Sequence, residues 1–406
     1  MKPDLDPAPP ARSPLRVAVV TETYPPEVNG VATTIERVVE GLCEAGHRLQ
    51  LVRPRRTRDD EQRQRAGLHE LLVTGLPIPN YPQLRMGLPS TRLLSAAWRR
   101  QRPDVVHIAT EGPLGWSALR AALQLGLPVT SDFRTNFHAY SRHYGIGWLE
   151  RPIAGYLRRF HNRCAFTMVP TEALRRTLVD DGFERLLVVA RGVDTRRFTP
   201  ARRSEALRRS WGIGARETAV LCVGRLAPEK NLETLLEAFG AMQATGRAHK
   251  LVFVGDGPMA AELRQRCPDA VFAGLRRDDD LAAHYASGDL FLFPSLTETF
   301  GNVTPEAMAS GLPVLAFDYA AASQLIRNGE NGLLAPFADR ATFVRQALAL
   351  SSDLEGAARL GVAARHGALA LDWAQIVRQI EGVFRAAIAG APAVPVLEPA
   401  VRTVGV

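Results

Sequence analysis

The chain has 406 residues, 46% hydrophobic and 23% charged, a globular composition long enough to bury a core in each of two domains. It has no run of eighteen apolar residues, so no transmembrane helix is predicted, and its four cysteines (Cys43, Cys164, Cys222, Cys267) form no CxxC pair, which argues against a zinc site or a disulfide framework and for a reducing, cytoplasmic compartment. The formal charge is +8, and the excess lies in the first half: net +9 over residues 1–199 against −1 over residues 200–406. An anionic partner is expected for that half: membrane surface, nucleic acid or acidic substrate. Only three of the 50 cationic residues are lysines, Lys2, Lys230 and Lys250. Genome base composition is the plain explanation, but it still singles out each lysine.

Residues 1–14 lack an apolar signal region and are expected to form a disordered leader. Leu15–Thr21 predicts a buried strand, followed by the loop TYPPEVNG, a helix over Val31–Ala45 and a strand over His47–Val52. Asp104–Ala109, Leu127–Ser131 and Phe166–Val169 predict strands, with a helix over Gly115–Gln124. Alternation of this kind predicts a doubly wound α/β unit with a parallel sheet. After the turn-rich stretch Arg191–Pro200 the pattern restarts. Thr218–Val223, Lys250–Val254, Ala270–Ala273, Leu290–Pro294 and Val314–Ala316 predict a second parallel sheet. The resulting division is an N-terminal domain over 15–198, a C-terminal domain over 199–370, a last helix within 371–389 and a disordered tail over 390–406. Ligands of such folds bind at the carboxyl ends of strands, so a cleft between the two sheets is expected.

The loops after the strands of the second half carry the sharpest chemistry. Arg225-Leu-Ala-Pro-Glu-Lys230 lies between a strand end and a helix start, where an anionic group is favoured, and its two cations suit a diphosphate. Asn231 is expected to cap that helix. The plainer reading is a solvated loop. Farther on, Glu298 and Glu306 stand eight positions apart across a glycine-containing loop. Thr304-Pro305-Glu306 predicts a helix start, with a threonine cap and proline at the first position. For Glu306 the plainer role is to complement the helix dipole. The sharper one assigns the two carboxylates to sugar and ribose hydroxyls, with the backbone N–H groups of Phe300, Gly301 and Asn302 meeting a phosphate.

With these residues in view, the chain resembles a family-4 glycosyltransferase of the GT-B fold. The matching segments are TETYPPEVNGV at 21–31, VGRLAPEKN at 223–231, VGDGP at 254–258 and FPSLTETFGNVTPEAMASGLPV at 293–314. A lone E-x7-E is weak; the ordered set is specific. The resemblance implies two facing Rossmann-like domains, with a C-terminal helix around Trp373 crossing back to the first. It implies that Arg225 and Lys230 bind the donor diphosphate, Glu306 the ribose and Glu298 the transferred sugar. Gly30 would let the first loop approach phosphate or acceptor closely. Leu275, in Phe272–Leu275, would lie beside the base. Family members are retaining and generally metal-independent, so no cofactor is expected, and Arg225, Lys230 and Glu298 would form the catalytic set. Many relatives carry a histidine in a YHT- or FHT-like segment, where this chain has Arg134. An arginine cannot act as a base near neutral pH. Either Arg134 keeps a binding role on the acceptor side or His138 substitutes for the histidine.

Asp278-Asp279-Asp280 invites a metal reading. It is set aside because the run opens a predicted helix, where acids favour the N-terminus, and brings no other suitable ligand. Residues 141–163 hold five arginines, one acid and the aromatics Tyr144, Trp148, Tyr156 and Phe160. Basic charge with interleaved aromatics fits an interfacial helix on anionic lipid; the alternative is a domain helix with a solvated arginine face. Arg99, Arg100 and Arg102, beside Trp98, would extend the patch. The resemblance is shared with GDP-mannose-dependent α-mannosyltransferases and with diacylglycerol or sulfolipid glycosyltransferases. The leading expectation is therefore transfer of a mannose- or glucose-type hexose from a GDP- or UDP-linked donor to a lipid or lipid-linked acceptor, by a peripheral enzyme on the inner face of the cell membrane. The alternative is a GT-B enzyme that uses a soluble acceptor or epimerises a nucleotide sugar. Nucleic-acid binding is not expected, because no recognition motif of the usual kinds is present. The sequence does not specify an oligomeric state.

Overall fold

The computed structural model describes residues 13–27, 30–57, 60–62, 64–78, 81–134, 150–214, 217–298 and 300–390. Most of the expected leader and tail, His138, and residues 141–149 of the basic segment lie outside them. The chain forms two compact units. One holds the described residues up to Phe133, together with Leu157–Thr167 and the described residues from Glu381. The other holds the described residues of Arg134–Tyr156 and Met168–Ile380.

The strands in chain order are β1 Arg16–Val20, β2 Arg48–Pro54, β3 Gln64–Arg65, β4 Leu68–Val73, β5 Gly75–Ile78, β6 Tyr81–Gly87, β7 Val105–Ile108, β8 Val129–Asp132, β9 Phe166–Val169 and β10 Leu186–Val188. The first large sheet has the order β10-β9-β8-β7-β1-β2-β4-β3, with β5 and β6 as a separate antiparallel pair. β1 lies between β7 and β2, parallel to both, and all but its first residue is buried. A strand covered on both faces reads as a continuous apolar run, which is why VAVV stood out in the sequence. The region 64–87 was not predicted as strand. Glycines and prolines interrupt the hairpin strands β5 and β6, and the short apolar run of β4 stands out only once it is paired with β2.

The second sheet is built from β11 Thr218–Val223, β12 His249–Val254, β13 Val271–Gly274, β14 Leu290–Phe293, β15 Val314–Phe317 and β16 Leu333–Ala335. Its order is β13-β12-β11-β14-β15-β16, and every adjacent pair is parallel. The strand order reverses between β11 and β14. That is the switch point at which parallel α/β sheets open a ligand crevice. The core on one face of this sheet joins Leu221, Val223, Tyr285, Phe291 and Met308. On the other face lie Phe253, Leu292, Phe317 and Phe343.

The last helix, Trp373–Ala389, has residues in both units. Within the second unit its Trp373 ring lies against Gly192, where a Cβ would fall 2.5 Å from the ring. Within the first unit, Phe384 packs tilted on His107 with ring centroids 5.3 Å apart, and Glu381 lies 3.7 Å from His47.

Candidate active site

The loops after β11, β12 and β13 are tied together by backbone. The Gly224 N–H donates to the Val254 carbonyl at 3.0 Å, the Gly255 N–H to the Gly274 carbonyl at 2.9 Å, and the Leu226 N–H to the Asp256 carbonyl at 3.0 Å. Gly224 and Gly255 have φ of +143° and +139°, conformations that disfavour other residues. This frame sets the stretch that carries Arg225 and Lys230. Pro228–Lys230 forms a single 3₁₀ turn, and the Leu232–Gln243 helix follows. Asn231 does stand at its N-cap, but in the left-handed region (φ 51°, ψ 48°) and without a side-chain cap bond. The expected capping role is therefore corrected. Asparagine tolerates this conformation, and here it joins the two helical pieces.

Lys230 and Glu298 come together from the loops after β11 and β14. The Lys230 ammonium forms an ion pair and hydrogen bond with Oε1 of Glu298. The same oxygen accepts from the Ser295 hydroxyl at 2.9 Å, and the Tyr319 hydroxyl donates to the Glu298 carbonyl at 3.0 Å. The ammonium also lies 5.7 Å from the centroid of the Phe293 ring. Both charged side chains are about one-sixth exposed, so the pair is accessible yet partly shielded from water. Arg225 is 55% exposed, with Glu229 at 3.7 Å.

The helix after β14 begins at Val303, with Asn302 at the N-cap and no side-chain cap bond. Thr304 and Pro305 thus sit inside the first turn, one and two positions beyond the start, which corrects the expected threonine cap. The turn is made instead by Gly301, at φ +91°, whose carbonyl accepts from the Thr304 N–H. Phe300 is buried, and its carbonyl accepts from the Ala321 N–H at 2.7 Å. Asn302 Oδ1 accepts from Arg191 Nη1 at 3.4 Å, and that guanidinium lies 5.7 Å from the Phe300 ring centroid. Glu306 is partly exposed as a residue, but burial of its carboxyl pushes the pKa up to about 7; the Tyr285 hydroxyl, donating to Oε2 at 2.9 Å, opposes that rise. Leu275 follows Gly274 (φ +72°) and is 60% exposed.

Sequence reasoning missed Tyr285, Ser295, Tyr319 and Arg191. Tyr285 reads as one apolar residue on a helix stripe, and Arg191 lies in RGVDTRRF, which served only to mark a boundary.

The remaining candidates lie elsewhere. Gly30 is the first residue of the Gly30–Glu44 helix, and its carbonyl accepts from the Thr34 hydroxyl at 2.6 Å. Arg134 follows β8 by two residues and is partly exposed. The three aspartates open the Asp278–Ala286 helix and pair with arginines: Asp278 with Arg197 at 2.9 Å, Asp279 with Arg202 at 3.2 Å, Asp280 with Arg276 at 3.1 Å. Among the described residues, no cluster of three metal-ligating acids, histidines or cysteines occurs. On the Glu150–His161 helix and just beyond it, Arg151, Arg158, Arg159 and Arg163 are exposed, while Leu157 and Phe160 are buried. Trp98 is not part of that surface. It is fully buried, and its indole N–H donates to Gln50 at 2.8 Å. Among the described residues, no helix is long and apolar enough to cross a membrane.

Residues 28–197 match the sequence family described as Glycosyltransferase Family 4, and residues 217–353 match Glycosyl transferases group 1. A GDP-mannose-dependent alpha-mannosyltransferase of Mycobacterium tuberculosis is 36% identical, over 92% of this chain and 97% of the relative. The chain belongs to the family-4 glycosyltransferases. As a member it is a hexosyltransferase, related to mannosyltransferases and glycolipid synthases. An alpha-monoglucosyldiacylglycerol synthase of Streptococcus pneumoniae is 27% identical, over 79% of this chain and 75% of the relative. The sucrose-phosphate synthase of Thermosynechococcus elongatus superposes with a TM-score of 0.75 at 18% identity, over 93% of this chain and 100% of that one. That likeness places this glycosyltransferase in the GT-B fold, with two α/β domains built on parallel sheets.

Proposed function

We propose that this glycosyltransferase moves a mannose- or glucose-type hexose from a GDP- or UDP-linked donor to a lipid or lipid-linked acceptor at the cytoplasmic face of the membrane, with retention and without a metal. The donor reading is carried by the 36% identity, over nearly the whole of both chains, to a protein named for its use of GDP-mannose. The lipid reading is supported by the similarity to a diacylglycerol-glycosylating relative and by the exposed arginines of residues 151–163.

In this reading Arg225 and Lys230 hold the donor diphosphate and stabilise the charge that grows on it as the glycosidic bond breaks. Preorganised cations of this kind are worth several kcal/mol because they need no reorganisation at the moment of reaction. Glu298 already orients Lys230 and would accept hydrogen bonds from the sugar. Glu306 would accept from the ribose hydroxyls, with Leu275 beside the base and the Phe300–Asn302 backbone near a phosphate. Gly30 and Arg134 would serve the acceptor side. An arginine cannot act as a base near neutral pH. The acceptor's proton therefore goes to the leaving phosphate, unless His138 receives it.

The test is thermal stabilisation by GDP, UDP and ADP and their sugar conjugates, with Glu306→Ala as control. Ligand binding to the native state raises Tm by mass action. A shift with one base that is lost in the variant supports the donor site and fixes the nucleotide class. No shift with any nucleotide, with or without anionic vesicles, overturns the reading.

A further inference from the structure

We infer that Tyr285 is a positioning residue of the donor site: its hydroxyl holds one oxygen of the Glu306 carboxyl and leaves the other to face the donor's nucleoside. The inference rests on the reading of Glu306 as the ribose-binding acid.

Tyr285 lies on the Asp278–Ala286 helix and is fully buried. The rings of Phe198 and Phe291 stand against it, at centroid distances of 5.6 Å and 5.8 Å. A ring held on two sides fixes where its hydroxyl points. That hydroxyl donates to Glu306 Oε2 at 2.9 Å. No other side chain bonds this carboxyl among the described residues. Oε1 is therefore the oxygen available to a ribose hydroxyl. A carboxyl anchored at one oxygen cannot swing, so it loses less freedom when a ligand docks.

The pair also sets a protonation requirement. Burial and the neighbouring carboxyl hold the Tyr285 hydroxyl well above its ordinary pKa, so it remains a donor at working pH. The Glu306 carboxyl is pushed up to about 7 by burial, and the tyrosine bond works against the rise. The groups that bear on the pair are each other and Cys222, which acts on Tyr285 from β11. A ribose hydroxyl donates best to the ionised carboxyl. Loss of the tyrosine hydroxyl should therefore raise the carboxyl's pKa further and move the acid limb of nucleotide binding to higher pH.

The experiment measures GDP and UDP binding by calorimetry to the wild-type chain, Tyr285→Phe, Glu306→Gln and Glu306→Ala, from pH 6.5 to pH 9. Phenylalanine preserves the buried ring, so the variant is expected to fold. The difference between two proteins at one pH cancels the nucleotide's own titration. For the nucleotide that binds, Tyr285→Phe should weaken affinity about tenfold at pH 7 and recover most of it at pH 9. Glu306→Gln should flatten the limb. A Tyr285→Phe affinity and limb equal to wild type, with Glu306→Ala impaired, overturns this inference alone. A loss that is equal at every pH also overturns it, because a merely structural role would not move the limb. Unchanged binding in Glu306→Ala overturns the inference together with the donor-site reading.

Discussion

A Cβ placed on Gly255 would lie 2.0 Å from the carbonyl oxygen of Gly224. The two glycines end neighbouring parallel strands, and both have positive φ. The loop carrying Arg225 and Lys230 is thus packed backbone to backbone against the VGDGP loop. Gly255→Ala should cost about 3 kcal/mol or more, through both the clash and the forbidden φ. Gly246→Ala also has positive φ, but nothing lies within 4 Å of its Cβ position. It should cost only about 1 kcal/mol. Thermal unfolding of both variants separates close approach from conformational strain. Equal losses would remove the packing argument.

The Lys230–Glu298 pair separates binding from turnover. Lys230→Ala should reduce kcat by about a hundredfold or more, the usual scale for losing one preorganised group. Nucleotide affinity should fall much less. Glu306→Ala should do the reverse, raising the nucleotide Kd with a smaller effect on kcat. Steady-state kinetics with calorimetry distinguishes the two. Full activity in both variants would remove the site assignment.

In the first unit, Glu22 accepts from the Leu114 N–H at 2.8 Å, at the start of the Pro113–Gln124 helix. Burial pushes its carboxyl up to about 7, and the charge of Glu111 adds to the rise. A raised carboxyl favours the protonated folded state. Its contribution to stability is complete below about pH 4.5 and is lost as pH rises through about 7. Glutamine stays neutral and keeps the accepting oxygen. Glu22→Gln should match wild type near pH 4.5 and exceed it at pH 8 by up to about 3 kcal/mol. Tm measured against pH checks this. A variant less stable than wild type at pH 8 would show that the helix terminus needs the charge.

The exposed arginines on and beside the Glu150–His161 helix predict a salt-sensitive membrane contact. Changing Arg158, Arg159 and Arg163 together to Gln should reduce co-sedimentation with anionic vesicles at about 0.1 M salt. Each lysine or arginine near such a surface contributes about 1 kcal/mol. Unchanged co-sedimentation would leave the helix as ordinary domain packing.

Much of the architecture was legible in the sequence because parallel strands covered on both faces must be apolar throughout. Phe166–Val169 and Thr218–Val223 are found with the bounds expected of them. Where hydrophobic patterning is weak, the reading failed. β5 and β6, with their glycines and prolines, are made by pairing, while β4 (LHELLV) and the three-residue β16 (LLA) are apolar runs too short to stand out. One helix start was misread: Thr304 has the residue type of a cap but lies inside the first turn. Asn231 does stand at the N-cap of its helix, in the left-handed region and without a side-chain cap bond.

The sequence by itself determined that the chain would fold as two parallel α/β units, and which loops would carry charge at strand ends. Those properties depend on local periodicity and on residue types in short motifs. Only the tertiary structure decided the partners. Glu298 meets Lys230 across 68 positions, Glu306 meets Tyr285 across 21, and Asn302 meets Arg191 across 111. Each pairing depends on strand order and on the rotation of helices packed against the sheet. Such distances come from the closure of the whole core, and no stretch of the chain read alone contains them.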